Sequence, residues 1–261
     1  MSYEHLEVER DGAVTLVHLN RPRAANALSR ALMEELIDCA ESFHDDVDTR
    51  AVVFAGRGRH FCAGADLTED RTAGRSKLEA RRRGRIGADL IRAVRAIAAP
   101  TIAAIEGAAL GGGACIATAC DFRVAAEDAS CGYPEVNLGM NLQWQALPHC
   151  VRLIGPARAK RMIGLGDRHP APELLAWGFI DEMTPPGAAV EGALALARAC
   201  AARPPIAIQM IKQSVNAVSD AFDAAIMHMD QDQFALTATM DDFAEGIRAF
   251  RERRTPSFSG D

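Results

Sequence analysis

The chain has 261 residues, 49% of them hydrophobic, enough to bury a large core within one domain or a domain with an appendage. Its 29 basic and 35 acidic side chains leave a formal net charge of -6, which argues against nucleic acid as the main partner, and no run of about eighteen apolar residues offers a membrane span. Seven cysteines, at 39, 62, 115, 120, 131, 150 and 200, form no C-x-x-C pair and so suggest neither a disulfide framework nor a metal site.

The opening Met1-Ser-Tyr-Glu-His5 is polar and acidic, unlike a secretory leader, so a cytoplasmic setting is expected. Leu6 to Arg10 and Ala13 to Leu19 read as two strands around an Asp11-Gly12 turn. After a loop over residues 20–28, Ser29 is placed to cap a helix whose Leu32, Leu36, Ala40 and Phe43 recur at helical spacing. Arg50 to Ala55 reads as a buried strand, followed by a loop of small residues with one acid, Phe61-Cys-Ala-Gly-Ala-Asp-Leu67. In an open α/β sheet the carboxyl end of a strand is where a ligand is presented. Residues 71–95 form a helix-like basic segment, nine Arg or Lys against Glu79 and Asp89, which reads either as a solvated face or as an attractor of anionic ligands.

Thr101 to Ile105, another apolar strand, runs into the turn Gly107-Ala-Ala-Leu-Gly-Gly-Gly-Ala-Cys115. Consecutive glycines at a helix start leave its first amides bare and electropositive, suited to a negative oxygen. Asp121 to Ala125 is a further strand, and the loop Gly132-Tyr-Pro-Glu-Val-Asn-Leu-Gly139 carries a single buried-looking carboxylate, Glu135. From Pro156 the pattern is almost wholly helical, apart from a strand-like Phe179 to Met183 and the break Pro185-Pro-Gly187. The expected division is a core over 1–186 and a helical region over 187–261, with no internal repeat.

The runs Arg21-Pro-Arg-Ala-Ala-Asn-Ala-Leu28, Phe61 to Leu67, Gly107 to Gly113, Cys120-Asp-Phe-Arg-Val-Ala125 and Pro134-Glu-Val-Asn-Leu-Gly139 together resemble the enoyl-CoA hydratase/isomerase (crotonase) family. Trp177-Gly-Phe-Ile-Asp-Glu-Met183 and Pro204-Pro-Ile-Ala207 follow in the same order, so the resemblance covers nearly the whole chain. It implies an α/β spiral of β-β-α turns with a C-terminal helical region that assembles as a homotrimer or a dimer of trimers. It also implies an acyl-CoA thioester as substrate, with no cofactor beyond the coenzyme A that the substrate carries. By the same resemblance the backbone amides of Ala65 and Gly112 form an oxyanion hole, each such donor being worth about 2.7–4 kcal/mol of transition-state stabilisation. Arg23, Ala25, Ala63, Asp66, Leu67, Gly111 and Pro134 are the implied substrate-binding positions, with Asp66 and Leu67 beside the adenine and Arg23 near a phosphate.

One departure bears on the chemistry. Hydratases of the family resemble one another in carrying two glutamates twenty residues apart, and here the second is Glu135 while the first position holds Cys115. Hydration asks for two positioned acid/base groups, whereas moving a double bond needs one, so the pattern resembles the single-glutamate Δ3,Δ2-enoyl-CoA isomerases. Cys115 reads as a small packing residue in preference to a reactive thiol. Gln143 stands where some branches carry an aspartate, and its amide transfers no protons at neutral pH. Met140-Asn-Leu-Gln-Trp144 replaces the family's usual Pro-Gly, which leaves the acyl pocket unassigned. Isomerase is the first expectation, hydratase with altered residues the second, and a non-catalytic CoA-ester or RNA binder the third.

Overall fold

Near-continuous apolar runs along short strands bury both faces of a sheet, and that pattern builds the centre of this chain. The structure, a computed structural model, describes residues 3–69 and 76–261. Asp11 and Gly12 turn β1 (Leu6–Asp11) back onto β2 (Val14–Leu19), the only antiparallel pair of a six-stranded sheet among the described residues. Parallel strands β3 (Ala51–Gly56), β4 (Thr101–Ile105), β6 (Phe122–Ala126) and β9 (Glu182–Thr184) complete it in the order β1-β2-β3-β4-β6-β9. A smaller sheet runs β5 (Ala108–Leu110), β7 (Ser130–Gly132), β8 (Arg168–Pro170). Single parallel bridges, Cys62 to Ala109 and Leu28 to Ala65, extend this second layer toward the earlier turns of the chain. Successive turns thus feed both layers, which is the expected spiral.

On β3, Val52 and Phe54 point to one core and Ala51, Val53 and Ala55 to another. The first core is closed by α1 (Arg30–Ser42), α3 (Ile86–Ala96) and α4 (Gly112–Ala119). Ser29 caps α1 by accepting from the Leu32 amide at 3.2 Å, as its sequence position predicts. The second core is closed by α7 (Ala189–Ala201), whose Ala193 and Ala197 lie against Val53, Ile102 and Val124. Thus the first helix of the 187–261 region covers the main sheet of its own chain. Within that region the exposed large apolar residues begin at α8 (Pro205–Ser219), with Ile206, Met210, Ile211, Val215 and Val218.

The basic segment is two helices: α2 (Lys77–Arg83) starts at a Ser76/Glu79 capping box and ends at Gly84, before α3 begins. Arg71 and Arg75 lie outside the described residues. The strand expected at Phe179 to Met183 starts later, because Gly178 (φ +81) ends α6 (Ala171–Trp177) and the Phe179 amide returns to the Leu174 carbonyl at 2.9 Å. α5 (Ala146–Gly164) breaks at Gly155 (φ +78), so Pro156 restarts a helix. Arg123 of the Cys120-Asp-Phe-Arg run is a stitch, donating to Asp181 Oδ2 at 2.8 Å, to Phe179 O at 2.6 Å and to Cys120 O at 2.9 Å. Three short helices, α9 (Ala224–Met227), α10 (Asp230–Thr237) and α11 (Asp241–Glu252), end the chain.

Candidate active site

The glycine turn has a short strand, β5, between its first glycine and the helix. Gly111 then takes φ +51 and ψ -119, a backbone shape that only glycine adopts readily. A Cβ there would also stand 2.8 Å from Glu135 Oε1, so the missing side chain is what lets the carboxyl reach the helix start. Gly112 is the first residue of α4, and its amide has no carbonyl one turn back to bond within the helix. Facing it is the 62–67 loop, where Gly64 (φ +99) comes so near that a Cβ would stand 3.6 Å from Gly112 N. The bridge beside Gly64 uses the Gly64 carbonyl and the Asp66 amide toward Leu28, at 2.8 and 3.1 Å, and so leaves the Ala65 amide out of the ladder.

Glu135 rides on a 3-10 turn, Pro134–Leu138, that is fixed from several sides. Pro134 pre-sets its first φ, and Gly139 (φ +66) closes it. Beneath it, buried Tyr133 shares a 3.2 Å hydrogen bond with Thr118 of α4. Gly246 of α11 packs so tightly on Leu138 that a Cβ would overlap the Leu138 backbone. Of the carboxyl, Oε2 is buried and meets no hydrogen-bond partner. Burial without a compensating charge raises Glu135 from 4.5 to about 7, which poises it as an acid and base near neutrality.

Cys115, one turn into α4, is fully buried. Burial first, then the neighbouring Glu135 and Asp230 carboxylates, push its thiol well above the ordinary range. Both effects disfavour the thiolate, the form in which a cysteine acts as nucleophile or base.

The other positions singled out by resemblance fall into two groups. Ala25 (φ +49) and Ala63 are neighbours, joined by a 3.0 Å bond from the Ala63 amide to the Ala25 carbonyl, with Ala63 exposed. Arg23 is exposed on the 3-10 turn Pro22–Ala24, and Leu67 is half-buried. Asp66 is instead engaged inside its own loop: it accepts from Arg21 Nη1 at 3.0 Å and from the Thr68 hydroxyl and amide at 2.6 and 3.1 Å. Burial pushes its carboxyl up, but those donors win and hold it low. Sequence reasoning passed over buried Asn26, whose side chain bonds the Arg21 amide and the Arg57 and His60 carbonyls at 2.8–3.0 Å. Its signal was an asparagine, which tolerates the left-handed region, standing in a loop, and it takes φ +56 there.

Sequence reasoning also missed what closes the region beyond Glu135. Gln143 is half-buried between buried Leu142 and Trp144. Trp144 (φ +67) and Gln145 (φ +62) are both left-handed, and the Trp144 indole lies against Gly112 and against Gly87 of α3. The Gln145 amide donates to Asp230 of α10 at 2.8 Å. Arg81 of the basic segment is paired with Asp232 at 3.0 Å, and Arg95 with Asp220 at 2.5 Å, so part of that charge is neutralised within the chain. Arg82, Arg83 and Arg85 remain exposed.

Comparison with known proteins gives a consistent family. The enoyl-CoA hydratase/isomerase family model matches residues 9–261. The chain is 34% identical to 2,3-dehydroadipyl-CoA hydratase of Escherichia coli, over 98% of each protein, and 31% identical to crotonyl-CoA hydratase of Syntrophomonas wolfei, over 99% of each. Among solved structures, carnitinyl-CoA hydratase from Mycobacterium avium superposes with a TM-score of 0.87 at 32% identity, over 100% of both chains.

Proposed function

Because the chain belongs to the enoyl-CoA hydratase/isomerase family, we propose that it acts on an acyl-CoA thioester through an enolate and that its principal reaction is the shift of a double bond from the 3 to the 2 position. The observation that carries this reading is Glu135: one carboxyl, near pH 7 in its titration, beside the glycine turn, with an inert Cys115 where a second acid would stand. Glu135 removes the α-proton of a 3-enoyl thioester. The electron pair moves onto the thioester oxygen, where the Ala65 and Gly112 amides hold the negative charge. The protonated Glu135 then returns the proton at the γ-carbon, and the enolate collapses to the 2-enoyl thioester. No bound metal or redox group enters these steps.

On this reading Arg23, Ala25, Ala63 and Leu67 line the path of the CoA moiety, small side chains letting it lie against backbone. Asp66 acts one step back, by holding the loop that carries Ala65. The exposed apolar residues of α8 are the surface through which three copies associate, since a patch of that kind is costly to leave in water. Hydration of a 2-enoyl-CoA is the second reading, favoured by the hydratase names of the similar proteins. Turnover of matched 3-enoyl-CoA and 2-enoyl-CoA substrates by the purified protein separates the two. Faster isomerisation supports the first, and hydration exceeding isomerisation overturns it.

A further inference from the structure

Trp144 is the residue in this chain whose placement the proposed chemistry leaves unexplained. Its indole fills the gap between α3 and α4 at the first residue of α4: a Cβ on Gly87 or on Gly112 would overlap the indole, at 2.0 and 2.3 Å from its nearest atoms, and Leu28 Cδ1 would stand 2.8 Å from the one on Gly112. Two glycines on separate helices therefore make the slot, and Trp144, 5% exposed, occupies it. Gly112 also carries the amide assigned to the thioester oxygen, so the indole stands within one residue of the reacting carbonyl. Nothing in local sequence preference favours the backbone that puts it there. Trp144 and Gln145 are consecutive side-chain-bearing residues in the left-handed region, a state that persists only where the surroundings hold it.

What holds it is Asp230. Its carboxylate accepts from the Gln145 amide at 2.8 Å, and the adjacent Trp144 amide also favours its charged form. Burial raises that carboxyl to about 6, and the two amides work against the rise. Asp230 opens α10, and α10 is itself tied down on both sides. Gln233 accepts from the Asn141 side chain at 2.9 Å, Thr237 Oγ1 accepts from the Asn141 amide at 3.3 Å, and Asp232 pairs with Arg81.

We propose that Trp144 is the wall that ends the acyl-binding space beside Gly112 and Glu135, that Asp230 is its positioning residue, and that the site in consequence takes short acyl groups. This rests on the acyl-CoA reading above. An indole in the slot between α3 and α4 leaves no room there for further methylenes, and each methylene that finds an apolar slot gains about 0.8 kcal/mol, a factor of about four in affinity.

The test is equilibrium binding of free CoA, butyryl-CoA and decanoyl-CoA to the full chain by titration calorimetry, which needs no turnover. Wild type is expected to bind butyryl-CoA more tightly than decanoyl-CoA. Trp144→Ala should move the decanoyl-to-butyryl affinity ratio by about tenfold or more toward decanoyl while free CoA binding stays put. Trp144→Leu, which keeps an apolar filler if the alanine variant fails to fold, should move it part of the way. Asp230→Ala should shift the ratio in the same direction, and Asp230→Asn, whose amide oxygen still accepts from the Gln145 amide, should resemble wild type. A merely structural Asp230 would change stability without changing that ratio. An unchanged ratio in the Trp144 variants, or a wild type that binds decanoyl-CoA as well as butyryl-CoA, overturns the proposal alone. Acyl-CoA binding no tighter than free CoA in wild type overturns the acyl-CoA reading with it.

Discussion

Replacing Glu135 by Gln tests the proton chemistry and the burial argument together, because the two side chains have nearly the same shape and only one titrates. Burial raises Glu135 from 4.5 to about 7. Between those values the unfolded chain has released its proton while the native chain keeps it, so the native state loses stability as pH climbs and levels off above about 7. A rise of that size corresponds to about 3 kcal/mol. Glutamine carries no such dependence, so the stability of Glu135→Gln minus that of wild type should grow by about 3 kcal/mol between pH 4 and pH 8. Urea denaturation at a series of pH values reads the difference directly. Turnover should fall by about 10²–10⁴-fold in the variant. In wild type, kcat/KM should rise with pH through about 7 as the carboxylate form appears. A stability difference flat with pH would show that Oε2 is not the desolvated atom described here, and turnover within tenfold of wild type would remove Glu135 from the reaction.

Gly111→Ala should lose about 10²-fold or more in turnover, because the new methyl meets Glu135 Oε1 at 2.8 Å and must displace it; unaltered kcat would contradict the described contact. The same variant should lose about 1–3 kcal/mol of stability from its left-handed φ, measured in the same urea experiment. Cys115→Ala should leave isomerisation within a few-fold of wild type, and native protein should resist thiol-specific labelling, since all seven cysteines are buried; rapid labelling of Cys115 with loss of activity would bring thiol chemistry back. Light scattering at micromolar concentration should give a trimer or hexamer, and polar substitution of Met210 and Val218 should dissociate it without melting the sheet, as those side chains are exposed within the single chain; a monomeric wild type refutes this.

The elements that a short window determines were legible in the sequence. Ser29 and its helix, the Asp11-Gly12 turn and the buried strands at 51–56 and 101–105 depend on neighbours a few residues away, and each stands within a residue or two of its reading. Gly111 and Glu135 were legible because glycine and a lone carboxylate are chemically conspicuous wherever they occur. The wall built by Trp144 was not. Its slot is made by Gly87 and Gly112, and its backbone is held by Asp230, 86 residues further along the chain than Trp144. Neither a period nor a spacing rule connects positions so far apart. The basic segment was legible only in part for a related reason: charge counted along the chain cannot show that Arg81 meets Asp232 or that Arg95 meets Asp220.

The grip of the last helices on residues 138–145 sets an order of events during synthesis. The sheet and its two cores use residues up to about 201, so they can condense while the remainder is still being made. Asn141, Gln145 and Leu138 meet their partners only when residues 230–246 arrive. Until then the Asp230 carboxylate is not there to hold the two left-handed residues that set the indole in its slot. A nascent chain can therefore possess a folded sheet and a formed glycine turn without possessing a finished pocket, and closing that last long-range loop is the step at which a stable body becomes a working one.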